Sequence, residues 1–118
     1  MATLPPRLQR LTDTLDDLAL DALLITDEIN VRYLSGFTGD SSFLLVTSQG
    51  TTILSDGRYT AQIAAECTGI ETQIRSSSQL LRDLVKDVLG ASGAKRVGIE
   101  ADKVTFAEYQ FFEAACDP

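Results

Sequence analysis

The sequence predicts an α/β fold, a three-layer sandwich in which a mixed β-sheet carries helices on both faces. Three observations predict it. Segments with helical spacing alternate with strand-like segments through most of the chain. The runs Ala22–Ile25, Phe43–Thr47 and Val97–Ile99 are apolar but too short for helices. The helical segments among them carry apolar faces that need a sheet or another helix to cover them.

Taken in order, the chain supports this pattern. Pro5 and Pro6 stand where a helix can begin, because proline is tolerated in a first helical turn. Leu8, Leu11, Leu15 and Leu18 follow at steps of three, four and three, one stripe on an amphipathic helix. Asp13, Asp16 and Asp17 fall late in that helix, where the macrodipole slightly disfavours them. Ala22–Ile25 predicts a buried central strand. Asp27 is placed to cap a short helix through Leu34, which Gly36 stops. A hairpin follows, with strands at Phe43–Thr47 and 52–55 joined by residues 48–51, where Gly50 supplies a positive φ. Asp56 caps a helix through about Glu66 whose inner face is Tyr59, Ile63 and Cys67, ended by Gly69.

Residues 70–74 alternate apolar and polar, as a half-solvated edge strand does. After the polar break at 76–78, Leu80, Leu81, Leu84, Val85, Val88 and Leu89 form the wide apolar face of another helix, ended at 90–93. Val97–Ile99 predicts one more short buried strand. Thr105 and Glu108 have capping-box spacing, so a last helix starts there. Phe106, Tyr109, Phe111 and Phe112 give it more apolar surface than its length needs, as if it packed on something outside these residues. Asp117-Pro118 ends the sequence as a linker or boundary would.

The 118 residues suit one domain. The formal charge of −7, from 10 basic and 17 acidic residues, argues against nucleic acid and anionic membranes as partners. No apolar run approaches the ~20 residues of a membrane span, and the first ten residues lack the apolar core of a signal peptide. The expectation is a cytoplasmic protein whose two cysteines, Cys67 and Cys116, are free thiols, with a disulfide left open. The histidine count of zero excludes Ser-His-Asp and Cys-His catalysis and most zinc chemistry.

Several patterns invite chemistry and fail on inspection. Gly36-Phe37-Thr38-Gly39 has the form of a backbone-clamping G-x-x-G loop, yet it sits among acidic residues. A tight turn that lets the chain approach a neighbour closely explains it better. Ser41 in Gly39-Asp40-Ser41 has no histidine to activate it. Asp16 with Asp17, and Asp27 with Glu28, are adjacent and do not face each other on a helix. Glu100 and Asp102 lack a second pair to complete a metal cage. Arg58, in Asp56-Gly57-Arg58-Tyr59, is the exception. A cation in a first helical turn costs on the order of 0.3–1 kcal/mol, so something should offset it. A local carboxylate such as Asp56 is one candidate; an anionic or carbonyl group from outside the domain is the other.

Residues 30–42 read N-V-R-Y-L-S-G-F-T-G-D-S-S, followed by L-L-V-T at 44–47 and L-S-D-G-R-Y-T-A-Q at 54–62. In that order and spacing they resemble the N-terminal domain of the Xaa-Pro peptidases, the aminopeptidase P and prolidase enzymes related to creatinase. The likeness covers the whole chain, including D-A-L-L-I-T at 21–26, G-I-E at 69–71 and V-G-I-E at 97–100. The resemblance implies a single creatinase/prolidase-type N-terminal domain over residues 1–118, separated from a C-terminal metallopeptidase domain. That absent domain would hold two divalent metal ions (manganese, cobalt or zinc) on carboxylate and histidine ligands, and would hydrolyse Xaa-Pro bonds at peptide N-termini.

The part at hand would carry no catalytic residue, metal ligand or cofactor and would be inactive alone. Its partners would be its own catalytic domain, a second subunit in a homodimer, and a proline-containing peptide. It would help dimerise the enzyme and shape the substrate entrance. Arg58 would reach substrate, and Phe37 and Tyr33 would belong to the loop facing it. A free-standing α/β binding or oligomerisation module that lost the catalytic half is the alternative. A small α/β enzyme using facing carboxylates ranks last.

Overall fold

The computed structural model describes residues 5–116. In chain order the elements are α1 (Pro6–Thr14), β1 (Ala22–Ile25), α2 (Glu28–Ser35), β2 (Phe43–Thr47), β3 (Gly50–Ser55), α3 (Thr60–Glu66), β4 (Glu71–Ile74), α4 (Leu81–Ser92), β5 (Val97–Ile99) and α5 (Phe106–Cys116). A single 3-10 turn, Gly57–Tyr59, leads into α3. The five strands form one sheet in the order β4-β3-β2-β1-β5. Strands β1 and β2, and β2 and β3, pair antiparallel; β3 with β4, and β1 with β5, pair parallel.

Alternation along each strand divides the interior into two layers. Ile25, Leu44, Val46 and Ile53 point to one face, where Leu8, Leu15, Val31, Leu34, Phe37, Ile63 and Cys67 cover them. That layer belongs to α1, α2 and α3. Ala22, Leu24, Leu45 and Leu54 point to the other face and pack on Leu84, Val85, Leu89 and Phe112 of α4 and α5. The three-layer sandwich expected from the sequence is therefore the observed fold.

The local signals act where they were expected. Asp27 Oδ2 accepts from the Asn30 amide at 3.2 Å, and Gly36 at φ +83° closes α2. The Thr105 amide donates to Glu108 Oε1 at 2.9 Å and the Glu108 amide to Thr105 Oγ1 at 3.1 Å, the reciprocal capping box. Strand β4 is an edge strand as expected, though more solvated than the alternation implies: Glu71, Thr72 and Gln73 are exposed and Ile74 is half-buried.

Three expectations are corrected. Helix α1 stops at Thr14, so Leu15 still tucks into the core but Leu18 is exposed. The Leu20 amide bonds back to the Leu15 carbonyl, and Ala19 takes φ +57°, which turns the chain out of the helix. The late aspartates favour that early stop. The hairpin loop is two residues, Ser48 and Gln49, because Thr47 pairs with Gly50 and Val46 with Thr51. Strand β5 is half-buried rather than buried: it is the other edge, with β1 as its only neighbour.

The strand directions gather one end of the molecule. Strands β1, β3, β4 and β5 all run the same way and β2 runs against them. Four strands thus present their carboxyl ends at one rim. In open α/β sheets that rim is where ligands are received. Here it carries the start of α2, the loop 36–42, the 3-10 turn, Arg75 and Glu100.

A candidate substrate-facing corner at the carboxyl rim

The loop 36–42 leaves α2 at Gly36 and is fixed at each step. The Phe37 amide donates to Ser35 Oγ at 3.1 Å, and the Phe37 side chain turns into the core, 0% exposed. Its ring meets Tyr59 edge-on, with centroids 5.1 Å apart. The Thr38 amide and hydroxyl both donate to the Glu66 carboxylate, at 2.8 Å for the amide, which ties the loop to the end of α3. Gly39 lies under the two rings: a Cβ there would sit 2.4 Å from Phe37 Cζ and 2.8 Å from Tyr59 Cε1. The close approach expected of the G-x-x-G turn is thus realised, with aromatic rings as the neighbour. The Tyr59 hydroxyl donates to Asp40 Oδ1. Ser42 Oγ and Ser55 Oγ, both buried, share a hydrogen bond of 2.7 Å that joins the loop to β3.

Arg58 stands beside this loop. Asp56 caps the 3-10 turn by accepting from the Arg58 amide at 3.0 Å. The same carboxylate accepts from Arg58 Nε at 3.0 Å and Nη2 at 2.9 Å, a two-pronged ion pair. Of the two ways to offset a cation at a helix start, the chain provides the local one. Asp56 is buried while the Arg58 side chain is 65% exposed, its guanidinium 5.0 Å from the Tyr59 ring centroid. The ion pair holds the Asp56 carboxyl below the usual carboxylate range and raises Arg58 further above its own. The Tyr59 hydroxyl holds Asp40 low, and Asp40 in turn raises Tyr59. The Thr38 amide does the same for Glu66, lowering it. The Asp40, Asp56 and Glu66 carboxylates are therefore ionised at neutral pH, each with a hydrogen-bond donor in the corner.

The other site residues fall differently. Tyr33 lies on the outer side of α2, exposed, with the Arg7 guanidinium 4.4 Å from its ring centroid. It does not stack on Arg58, which lies over Tyr59 instead. Phe37 belongs to the expected loop, but its buried ring cannot touch a molecule in solvent. Its contact with the corner is through Tyr59.

Residues outside the three expected ones complete the rim. Asp40, Asp56, Tyr59 and Glu66 form the corner's polar frame. Glu100 Oε1 accepts from the Thr26 amide at 2.8 Å and the Asp27 amide at 2.9 Å, and Asn30 Nδ2 donates to its other oxygen. Glu100 thereby pins the end of β5 to the start of α2. Its acid at a strand end was visible in the sequence; its partners, seventy or more positions away in the chain, were not.

Elsewhere the surface offers less chemistry. A 460 Å³ cavity lies at the opposite rim, lined by Thr47, Gly50, Thr52, Gln73 and Ala91 among others, with Glu71 as its one charged residue. Among the described residues no three His, Cys, Asp or Glu are grouped to hold a metal ion. Burial raises the thiol of Cys67. The side chain of Cys116 and residues 117–118 lie outside the described residues, and with them the possible pairing and the linker-like end. No helix among the described residues is long and apolar enough to cross a membrane.

Comparison with known proteins agrees with this architecture. The family model described as the creatinase/prolidase N-terminal domain matches residues 7–118. An uncharacterised peptidase of Bacillus subtilis, YqhT, is 31% identical over 108 residues, covering 92% of this chain and 30% of the relative. A putative Xaa-Pro aminopeptidase of Mycoplasma pneumoniae is 30% identical over 113 residues, covering 96% of this chain and 31% of the relative. The chain thus spans about a third of the length of these curated relatives. Among solved structures, an Xaa-Pro dipeptidase from Bacillus anthracis superposes with TM-score 0.84 at 27% identity, over 94% of this chain and 31% of that one. The N-terminal domain of the cytoplasmic peptidase PepQ from Mycobacterium tuberculosis H37Rv superposes with TM-score 0.81 at 33% identity, over 92% of this chain and 83% of that one.

Proposed function

The chain belongs to the creatinase/prolidase N-terminal domain family, and from that premise we propose that it is the non-catalytic N-terminal part of a metal-dependent Xaa-Pro peptidase. The reading extends to the parts a longer polypeptide would supply: a catalytic domain with two divalent ions, a homodimeric assembly and a cytoplasmic location. Two of the named relatives, a putative Xaa-Pro aminopeptidase and an Xaa-Pro dipeptidase, are about three times as long as this chain, and another is called a cytoplasmic peptidase. The metals belong wholly to the proposed second domain, where they would supply the attacking water; the described residues have no grouping suited to them.

One observation carries the assignment of this domain to the substrate entrance. Arg58 is held rigidly by a buried carboxylate, yet it presents an exposed guanidinium at the carboxyl rim of the sheet. A cation held by a local carboxylate and still exposed is pre-organised to meet a group from beyond its own domain. Tyr33, exposed on α2 beside Arg7, would meet the partner on a separate face, and Phe37 would act from beneath through Tyr59 as a positioning residue. The test is Arg58→Ala in the intact protein, assayed on an Xaa-Pro peptide with manganese. A rise in KM or a fall in kcat/KM with an unchanged melting temperature supports the reading. Unchanged kinetics would leave Arg58 as an ion-pair residue alone.

A further inference from the structure

We infer that the free edge of β4 binds an extended segment of another protein, one in which basic and β-branched side chains alternate, and takes it up as one more strand of the sheet. The main chain offers the pairing. The Arg75 amide donates to the Ser55 carbonyl at 2.9 Å. By the alternation of a parallel ladder, Glu71 and Gln73 also turn their main-chain groups to β3, and Thr72 and Ile74 turn theirs outward. Beyond them the sheet has no further strand among the described residues. Strand β4 holds no proline that would block such pairing.

Side chains set what the edge takes. Glu71 lies opposite Thr52 and Gln73 opposite Leu54, so both stand on the α4 side of the sheet. There they wall the 460 Å³ cavity that Leu45, Val88 and Ala91 also line. Neither has a hydrogen bond or ion pair among the described residues, and Glu71 is the one charge on the cavity. The carboxyl end of α4 reaches the cavity at Ser92 and has no basic residue in its last turn, so it adds negative potential. On the other side of β4, Ile70 and Ile74 are half-buried, with Thr72 between them.

An added antiparallel strand would hydrogen-bond to Thr72 and Ile74. Glu71 would then fall in a pair without hydrogen bonds, where side chains stand closest. A lysine or arginine there meets an unpaired carboxylate with open space beside it, while its β-branched neighbours lie along Ile70 and Ile74. A second copy of β4 fits less well. Paired about Gln73 it would bring Arg75 to Glu71, but Nη1 of Arg75 is held by the Ser76 and Gln79 carbonyls, and each chain carries a charge of −7. Nothing in the pairing calls for proline or a free amino end, so the partner is not the peptide substrate proposed above.

The probe is a peptide of alternating valine and lysine, blocked at both ends, added to the intact protein. Hydrogen exchange at Thr72 and Ile74 reads the pairing, and fluorescence anisotropy reads the affinity. Saturable binding with slowed exchange of both amides is expected. Glu71→Gln should weaken it roughly threefold, the scale of one cross-strand charge pair, and a glutamate version of the peptide should bind more weakly still. Methylating the valine amides keeps the charge, removes the donors that face β4, and should abolish the protection. Equal binding of the methylated peptide, or an unchanged affinity in Glu71→Gln, would overturn the inference, as would no binding at all. Slow exchange of both amides without peptide would overturn it too: dependence on protein concentration would make the occupant a second copy, and independence a further segment of the same polypeptide.

Discussion

The corner at residues 36–59 and the last helix, α5, both reach the surface, and they do so in opposite ways. At the corner the exposed groups are polar and nearly every one is already bonded: Arg58 to Asp56, Tyr59 to Asp40, Thr38 to Glu66. On α5 two large aromatic side chains are exposed beside Gln110 and Glu113. Phe106 is 74% exposed and Tyr109 42%, stacked on each other with centroids 6.5 Å apart. Of the four aromatic rings on that helix, only Phe112 is buried. A helix apolar on several sides is normally covered on several sides. The difference teaches that the polar groups of the corner find their partners within the chain, while two rings of α5 are left facing solvent.

The largest expected effect would break the corner from below. Phe37→Ala removes a fully buried ring and its contact with Tyr59. It should cost about 3–5 kcal/mol in urea unfolding. Truncation of Phe106 to Ser in the same chain should change stability by less than about 0.5 kcal/mol, because that ring is already in water. If the two losses were alike, the contrast between the regions would be wrong.

Gly39→Ala comes next. The added methyl overlaps both rings, so about 1–3 kcal/mol of destabilisation is expected. Combining it with Tyr59→Leu, which removes the ring edge at 2.8 Å, should recover part of the loss. Additive losses in that double variant would mean the rings do not set the requirement for glycine.

Smaller effects sharpen the electrostatic side. Asp56, Asp40 and Glu66 are held below their ordinary values in the folded chain by Arg58, Tyr59 and Thr38. A depressed folded value means stability that is present above the unfolded value, about 4, and lost as pH falls through the folded one. Acid should therefore loosen the corner, seen as faster exchange of the Thr38 and Arg58 amides. Tyr59 has the opposite sign. Its raised value means the Asp40 bond contributes fully below about pH 10 and is lost as pH rises through the folded value. Asp40→Asn should lower the pH at which Tyr59 ionises, read by ultraviolet difference absorbance; an unmoved titration would show that the bond does not form in solution.

How much of this was legible beforehand follows from the range of each signal. Caps, turns and periodicity act over a few residues. Asp27, Gly36, the Thr105–Glu108 box and the alternation of strands and helices were readable, and they sufficed for the sandwich. Strand order is not local, so β5 passed for a buried strand although it is an edge. Helix α1 ran too long on paper because leucine spacing continues through Leu18 while the backbone turns at Ala19. At the corner, Arg58 and its Asp56 partner lie two positions apart and could be paired from the sequence. Phe37 could not be told from a surface aromatic, since its burial depends on Tyr59, twenty-two positions on, and on a glycine that clears space for both rings. The Glu100 brace to Thr26 and Asp27 crosses seventy-four and seventy-three positions and leaves no local mark.

Hydrogen exchange on this chain alone and within the intact protein tests most directly whether the corner is self-sufficient and α5 is not. The account predicts that the amides of Thr38, Arg58 and Tyr59 exchange at similar rates in both, while those of α5 slow markedly in the intact protein. Equal protection of α5 in both, with the corner protected only in the longer polypeptide, would contradict it.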